Sequence, residues 1–386
     1  MGRRRSLISV ILLNECFKKN MNITFIIGNG FDIGLGLKTS YSDFISKYAD
    51  LSKPHAPHAL EYKLKDQINK NRLSWADAEV AFAKLSFDSI LKGCKKFDES
   101  FLDLLSRFQD ALVKYLESEE KRFAFTKVDN DLKYKFVQQI IRSTIEGLHS
   151  GKQGEFIEQL KAETVILRGI NFNYTRTFDS LLPSLDDNFK IALKDSSEVQ
   201  IKMGEIVHIH GTLKEKNAIF GVSDPRLIES KRTRELCQLG RIFLKEYQDD
   251  EQGLKGYDSA KNLVRDADVL LIFGTSMGLS DSSWLSTLVF YLGMNNKLKI
   301  MLHLYSQNPK EINNGMAYTI HQKNGRELFI HSLPDRDDEI EMKSVWPKLG
   351  QVTTLLEGPY TRMDDSVGMG DPWDLSGWSH RLVSGS

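Results

Sequence analysis

Ile23-Thr24-Phe25-Ile26-Ile27-Gly28-Asn29-Gly30-Phe31-Asp32-Ile33-Gly34-Leu35-Gly36 decides how this chain is read. The apolar and β-branched run Ile23 to Ile27 predicts a strand buried on both faces. It stops abruptly in glycines at positions 28, 30, 34 and 36. Glycine has no Cβ, so at the C-terminal end of a strand it lets backbone approach a ligand. That end is where open α/β sheets bind nucleotides. A helix or turn opening there aims unpaired N–H groups at a phosphate. The spacing Gly28-x-Gly30-x-x-x-Gly34 is one residue longer than the commonest dinucleotide fingerprint. A plain tight strand-to-helix turn accounts for it equally well. Asp32 complicates a phosphate cradle, because a carboxylate beside a pyrophosphate repels it. Capping a helix start, or facing a ribose or a backbone amide, are the other roles open to it. Only Asp43 and Asp50 stand near the place of the usual ribose-binding acid, and neither fits well. An ordinary hydride-transferring dehydrogenase is therefore disfavoured.

Outward from this stretch, Thr39 or Ser40 is expected to cap a helix running to about Tyr48, and Pro54 and Pro57 break the chain. Residues 54–163 read as a helical insertion. Within it Phe97, Phe101, Leu104, Leu105, Phe108, Leu112, Tyr115 and Leu116 recur at three- and four-residue spacing, the mark of a helix core face rather than of a cofactor contact. Trp75-Ala-Asp77-Ala-Glu79 reads as a surface helix turn, with a polar cluster reaching the site as the alternative.

The second half alternates. Strands are expected at Thr164 to Arg168, Ile206 to Ile209, Ala218 to Val222, Val269 to Phe273, Leu298 to Leu304 and Glu327 to His331, with a helical stretch over residues 225–266. Strands interleaved with helices argue for an α/β fold with a doubly wound, mostly parallel sheet. Its nucleotide-binding core is expected over residues 21–53 and 164–350. Residues 1–20 carry Arg3 to Arg5 before a short apolar run, too short to span a bilayer and without a small-x-small cleavage site. They read as a non-core extension, with Met21 as the natural start. Residues 351–386, rich in Gly, Ser and Asp, read as a loosely ordered tail.

Lys plus Arg and Asp plus Glu number 52 each, so nothing in the net charge draws the chain to nucleic acid or to an anionic membrane. Clusters such as Lys92, Lys95, Lys96 read as solvated surface. Cys16, Cys94 and Cys237 are far apart and odd in number, which argues against a zinc ribbon and for a reducing, cytoplasmic setting.

Four expected strand ends carry polar residues: Gly28-Asn29-Gly30-Phe31-Asp32, Asn173-Tyr174-Thr175, His210-Gly211-Thr212 and Gly274-Thr275-Ser276. In a doubly wound sheet such ends share one edge, and ligands bind there. His208 and His210 fall two apart and so on one strand face. A metal at that pair is disfavoured, for want of a third ligand at suitable spacing.

The run Phe25 to Phe44 resembles the opening motif of the AbiH family of bacteriophage abortive-infection proteins. The likeness continues through Trp75 to Glu79, Asn171 to Thr175, Val207 to Gly211, and Phe273 to Ser276 with Asp281. More distantly, the same strand ends in the same order are similar to the NAD-binding landmarks of sirtuins and sirtuin-like defence NADases. That likeness implies a Rossmann-like, sirtuin-like core with NAD as substrate or ligand. It implies His210 as catalytic base and Asn173 beside the ribose. Gly28, Asn29, Gly30, Phe31, Asp32, Thr39, Tyr174, Gly274, Thr275, Ser276 and Asp281 then lie along the nucleotide. Thr175 stands where those proteins usually carry Asp. The sirtuin zinc module is absent, which removes protein deacylation from the expected activities.

The nicotinamide–ribose bond is already activated, because the pyridinium leaves as a neutral molecule. A carboxamide that orients water and a base near the ordinary histidine pKa suit such a reaction. NAD+ hydrolysis during phage infection is the expected function. A catalytically silent NAD or ADP-ribose sensor is the alternative, and an enzyme acting on another nucleotide a third. The resemblance also allows a phage-derived trigger or partner protein, and a homo-oligomer.

Overall fold

Asn20–Ile27 (β1) is the centre of a seven-stranded sheet in the computed structural model. The structure describes residues 20–50, 59–70, 77–84, 97–228, 242–275, 279–295, 297–303, 315–331 and 352–354. The N-terminal extension before Asn20, the prolines at 54 and 57, Trp75, the three cysteines, the lysines at 92, 95 and 96, Ser276 and the tail beyond Thr354 lie outside them.

After β1 the chain forms a short helix, Gly30–Gly34 (α1), then Tyr41–Asp50 (α2), Ala59–Lys70 (α3), Ala78–Lys84 (α4), Phe97–Glu120 (α5), Asn130–Glu146 (α6) and Ser150–Ala162 (α7). Thr164–Asn171 (β2), a turn of helix at Thr177–Ser180 (α8), Asn188–Ala192 (β3) and Glu198–His208 (β4) follow. Lys245–Gln252 (α9), Gly256–Arg265 (α10), Val269–Phe273 (β5), Ser282–Met294 (α11), Lys299–His303 (β6), Gly315–His331 (α12) and Val352–Thr354 (β7) complete the order.

The strands lie in the order β3-β4-β2-β1-β5-β6-β7. All neighbours pair in parallel except the hairpin of β3 with β4. From β1 the chain works toward β4, then crosses back so that β5 lies on the other side of β1. The direction of winding therefore reverses between β1 and β5, where an open parallel sheet leaves a crevice at its C-terminal edge.

Alternation along β1 sorts the core. Met21, Ile23, Phe25 and Ile27 face a cluster with Phe136 and Ile140 of α6 and Phe156 and Leu160 of α7. Ile26 faces the opposite cluster with Leu263 and Val264 of α10 and Leu288 and Leu292 of α11. The sheet is thus covered on both faces, which is why its central strands read as continuous apolar runs.

The helical block divides. While α6 and α7 pack on the sheet, α2 to α5 build a third core around Phe108, whose ring lies 5.3 Å from Phe44, 5.0 Å from Phe82 and 5.4 Å from Phe220. From Leu104 to Leu116 the stripe of α5 is core, as its spacing predicts, and the side chains of Phe97 and Phe101 lie outside the described ones.

Two strand expectations need correction. Glu327 to His331 lies within α12, whose Gln322 brackets the edge strand, donating to the Thr354 carbonyl and accepting from the Thr354 amide at 2.8 Å. Three apolar residues, Leu328 to Ile330, are too short a window to outweigh a helix already running from Gly315. Ala218 to Val222 is an extended loop with one bridge, Val222 to Leu244. The sheet also takes its last strand from Val352–Thr354, beyond the expected core boundary at 350, and gains an unexpected edge strand in β3.

Candidate functional site at the C-terminal edge of the sheet

The parallel register aligns the ends of β1, β2, β4 and β5, so the four polar segments after them share one edge. The first and last of these interlock. Gly28 N–H donates to the Phe273 carbonyl at 3.0 Å, Gly30 N–H to the Gly274 carbonyl at 2.6 Å, and Phe31 N–H to the Gly28 carbonyl at 3.0 Å. A β-carbon on Gly28 would stand 2.6 Å from the Cα of Thr275, and one on Gly30 2.7 Å from the Cα of Gly274. These glycines are required by loop-on-loop packing, and their amides point at protein carbonyls rather than at a phosphate. Phe31 anchors the turn from beneath, with its ring 5.2 Å from Phe178, 6.1 Å from Phe136 and 6.2 Å from Phe273.

Asn29 ties the turn to the approach to α2. Its amide donates to the Thr39 carbonyl at 2.9 Å, and the Thr39 hydroxyl donates to its oxygen at 2.5 Å. Ser40 is the cap of α2, accepting from Asp43 N–H at 3.1 Å. Among the described residues Asp32 caps no helix and accepts no backbone amide. Its carboxylate is buried and accepts the hydroxyls of Thr175, at 2.5 Å, and Thr177. A carboxylate at 175 could not make that donation, which gives Thr175 a physical reason.

Burial pushes the Asp32 carboxyl up from 3.8 to about 6, with the two threonines pulling it partly back. Between those values the unfolded chain releases the proton while the folded protein keeps it. This group's support of the fold therefore weakens as pH rises from about 4 to about 6 and is gone above that. Asp32→Asn, which keeps the shape, should be more stable than wild type by roughly 1–3 kcal/mol near neutral pH and equal to it near pH 4 in thermal melts. A variant that melts lower at neutral pH would show that the threonine bonds outweigh burial.

Asn173 is buried, its side-chain amide donating to the Gly28 carbonyl at 3.2 Å and its backbone N–H to Asn171 Oδ1 at 2.9 Å. This fixes the carboxamide plane beside the glycine turn. Its carbonyl meets Nδ1 of His208 at 3.0 Å, while Nε2 of His208 meets Asp179 at 2.5 Å. A carbonyl only accepts, so Nδ1 carries a proton. Burial works against the charged form of His208, but the bond to Asp179 and its charge outweigh it and the pKa is raised.

His210 lies just past β4 and has a carboxylate of its own. Its Nδ1 donates to the Phe172 carbonyl at 3.1 Å, and its ring stacks 6.1 Å from Tyr174, whose hydroxyl donates to the Ile219 carbonyl at 2.6 Å. Nε2 is 3.2 Å from Asp281 Oδ1, an ionic contact without hydrogen-bond alignment. Burial, then the charge of Lys245, lower its pKa against the pull of Asp281, leaving a neutral imidazole whose basic atom is Nε2. The two histidines thus serve separate carboxylates, and no group of three metal-ligating side chains gathers among the described residues.

Three contributors have no signal in the sequence reading. Lys245 is fully buried, with Nζ 2.7 Å from Asp281 Oδ1 and 2.8 Å from Glu79 Oε2. Tyr257 and Trp284 stack 5.6 Å apart, Trp284 lies 6.2 Å from Phe172, and the buried Tyr257 hydroxyl and Trp284 indole N–H have no hydrogen-bond partner among the described residues. Lys245 sits in an ordinary helix start, and an aromatic on a helix reads as core. The segment ending at Glu79 does reach the site, against the surface-turn reading: Glu79 is buried and also accepts Gly221 N–H at 3.2 Å. Asp77 caps α4 through Val80 N–H at 3.0 Å. Burial pushes Glu79 above the usual carboxylate range, with Lys245 pulling it back. Burial works against the charged form of Asp281, but the Lys245 ammonium and the close contacts with Lys245 and His210 outweigh it and hold the carboxyl well below that range.

A family model described as bacteriophage abortive infection AbiH matches residues 24–302, from β1 through β6. The chain belongs to the AbiH family. The matched span takes in all the polar strand ends and the Glu79–Lys245–Asp281–His210 chain, so the buried charges lie inside the AbiH region. No curated protein matches the chain. No helix among the described residues is long and apolar enough to cross a membrane. A cleft of about 430 Å³ opens at the opposite, N-terminal edge of the sheet, between α7 and the starts of β1, β5 and β6. Lysines and carboxylates line it in mixture, and none of the polar strand-end residues, Glu79, Lys245 or Asp281 is among its lining.

Proposed function

We propose that this AbiH protein binds NAD+ at the C-terminal edge of the sheet and hydrolyses the nicotinamide–ribose bond, depleting NAD+ during phage infection. The observation that carries the reading is a buried, aromatic-walled group of polar atoms: Tyr257 Oη and Trp284 Nε1 have no hydrogen-bond partner among the described residues, and His210 Nε2 has only the unaligned contact with Asp281. Buried polar groups are nearly always satisfied, and those left over mark a place for a ligand group or ordered water. A nucleotide's ribose and carboxamide offer matching donors and acceptors, and the aromatic walls suit a flat ring. The Rossmann-like reading of the core agrees with the reversal of winding between β1 and β5. The diphosphate has to be met by groups other than the Gly28 and Gly30 amides, which are already bonded.

In this reading Asn173 orients the attacking water. As the water oxygen bonds to the ribose carbon, nicotinamide leaves with the bonding pair, and the water's proton passes to His210 Nε2. The imidazolium so formed then has the Asp281 carboxylate beside it. A second reading, a sensor that holds NAD or ADP-ribose without cutting it, is favoured by burial: His210 is 4% exposed and Asn173 5%. A closed site also suits an effector that stays silent until a phage-derived trigger opens it.

The test measures NAD+ binding by calorimetry on purified protein, and nicotinamide release both there and in phage-infected cells. Release in infected cells is expected. Binding without release in either setting favours the sensor, and absence of binding removes both readings.

A further inference from the structure

The same edge carries two histidine–aspartate pairs, and only one of the two aspartates also holds a lysine among the described residues. His208 meets Asp179 at 2.5 Å, and Asp179 is otherwise bonded to the Asn171 amide at 3.1 Å. His210 meets Asp281 at 3.2 Å, and the same Asp281 oxygen is 2.7 Å from Lys245 Nζ. One carboxylate oxygen therefore lies between an ammonium and an imidazole, with the two nitrogens within two hydrogen-bond lengths of each other. Glu79 holds the ammonium from the other side at 2.8 Å, and is itself held by Gly221 N–H.

Burying a lysine with two carboxylates is a poor way to stabilise a fold. Desolvation offsets most of the attraction, and apolar residues of similar volume often do as well or better. The arrangement makes sense by its effect on the imidazole. A carboxylate beside a histidine draws a proton onto it, whereas a cation on that same carboxylate cancels the pull. In the pair without a lysine Asp179 outweighs burial and His208 is shifted upward; in the other, burial and then the charge of Lys245 outweigh Asp281 and His210 is shifted downward.

We propose that Lys245, held by Glu79, is a positioning residue: by binding the Asp281 oxygen that faces His210, it leaves Nε2 of that imidazole able to take a proton from the substrate side. This rests on the NAD+-cleavage reading above. Glu79 comes from α4, so the helical block outside the sheet fixes the state of the base at the sheet edge. The groups facing His210 are Lys245, Asp281, the Phe172 carbonyl and the Tyr174 ring, with Glu79, Asp77 and Tyr257 grouped around Lys245 and Asp281.

The test reads the titration midpoint of His210 directly, by histidine-selective labelling and NMR of the nucleotide-free full chain, with the signal assigned through His210→Asn. Lys245→Met should raise the midpoint by about 1–3 pH units, the usual effect of a charge at this range. Because that variant leaves Glu79 buried without its cation, Glu79→Gln/Lys245→Met is measured beside it and should give the same rise. Asp281→Asn should lower the midpoint. The acid limb of nicotinamide release should follow the midpoint, moving to higher pH in both Lys245 variants, because the base acts only when neutral. An unchanged midpoint in the Lys245 variants, a shift of the same sign in Asp281→Asn, or an acid limb that ignores the midpoint each overturns the proposal. Midpoints that move as expected in a protein that releases no nicotinamide at any pH uphold the Lys245–Asp281–His210 coupling and remove the NAD+-cleavage reading instead.

Discussion

Replacing His210 with asparagine should cut nicotinamide release by about 10²–10⁴-fold, the usual contribution of a general base. NAD+ affinity and melting temperature should stay near wild type. Asparagine is the informative choice because its amide can keep the donation to the Phe172 carbonyl that Nδ1 makes at 3.1 Å. Alanine would leave a cavity and strip Asp281 of its neighbour, mixing a folding effect into the rate. In the wild type, burial and Lys245 hold the imidazole below the ordinary histidine value of 6.5. Release is therefore expected to hold its neutral-pH rate at pH values where an exposed histidine would already be protonated. Single-turnover measurements across pH check both points. Full activity in His210→Asn would remove the residue from the chemistry, and lost NAD+ binding would make it a ligand contact.

Gly274→Ala should cost about 2–4 kcal/mol of stability, combining left-handed strain with overpacking. Gly274 has φ +67°, and a β-carbon there would lie 2.6 Å from Phe31 N and 3.1 Å from the Gly28 carbonyl oxygen. Backbone cannot yield as a side-chain tip can, so the loops after β1 and β5 would have to part. Denaturant melts measure the loss directly. Gly253, also left-handed at φ +66° but with no atom within 4 Å of an added β-carbon, is the control: Gly253→Ala should show the strain alone. Equal losses at the two positions would mean that the interlock of the loops contributes nothing.

The fold was legible where burial is two-sided. The runs Ile23 to Ile27 and Val269 to Phe273 sit between helices on both faces, and their continuous apolar character states as much. It was illegible at the edges. The residues of β3 are mostly exposed or half-buried, and β7 is three residues long, so neither carries enough apolar signal to separate strand from loop. Glu327 to His331 has strand-like composition inside a helix, because its state is set by the turns before it and by the contacts of Gln322 and Arg326 with β7.

The site divides along the same line. Asn173 and His210 were singled out by position, each following a strand at the end where parallel sheets bind ligands, whereas Asp281 came only with the AbiH likeness. The glycines at 28, 30 and 274 were found too, yet what they approach is each other. Glycine spacing reports that something comes close, and only the packed loops show what.

By itself the sequence determined the parallel core, the shared edge of its strand ends and the AbiH membership, because periodicity and motif are local properties of the chain. The tertiary structure alone decided the electrical state of the site. Lys245 and Glu79, separated by more than 160 residues, meet at 2.8 Å and with Asp281 set the charge of His210. Burial and charge proximity are relations between distant residues, and no window along the chain contains them.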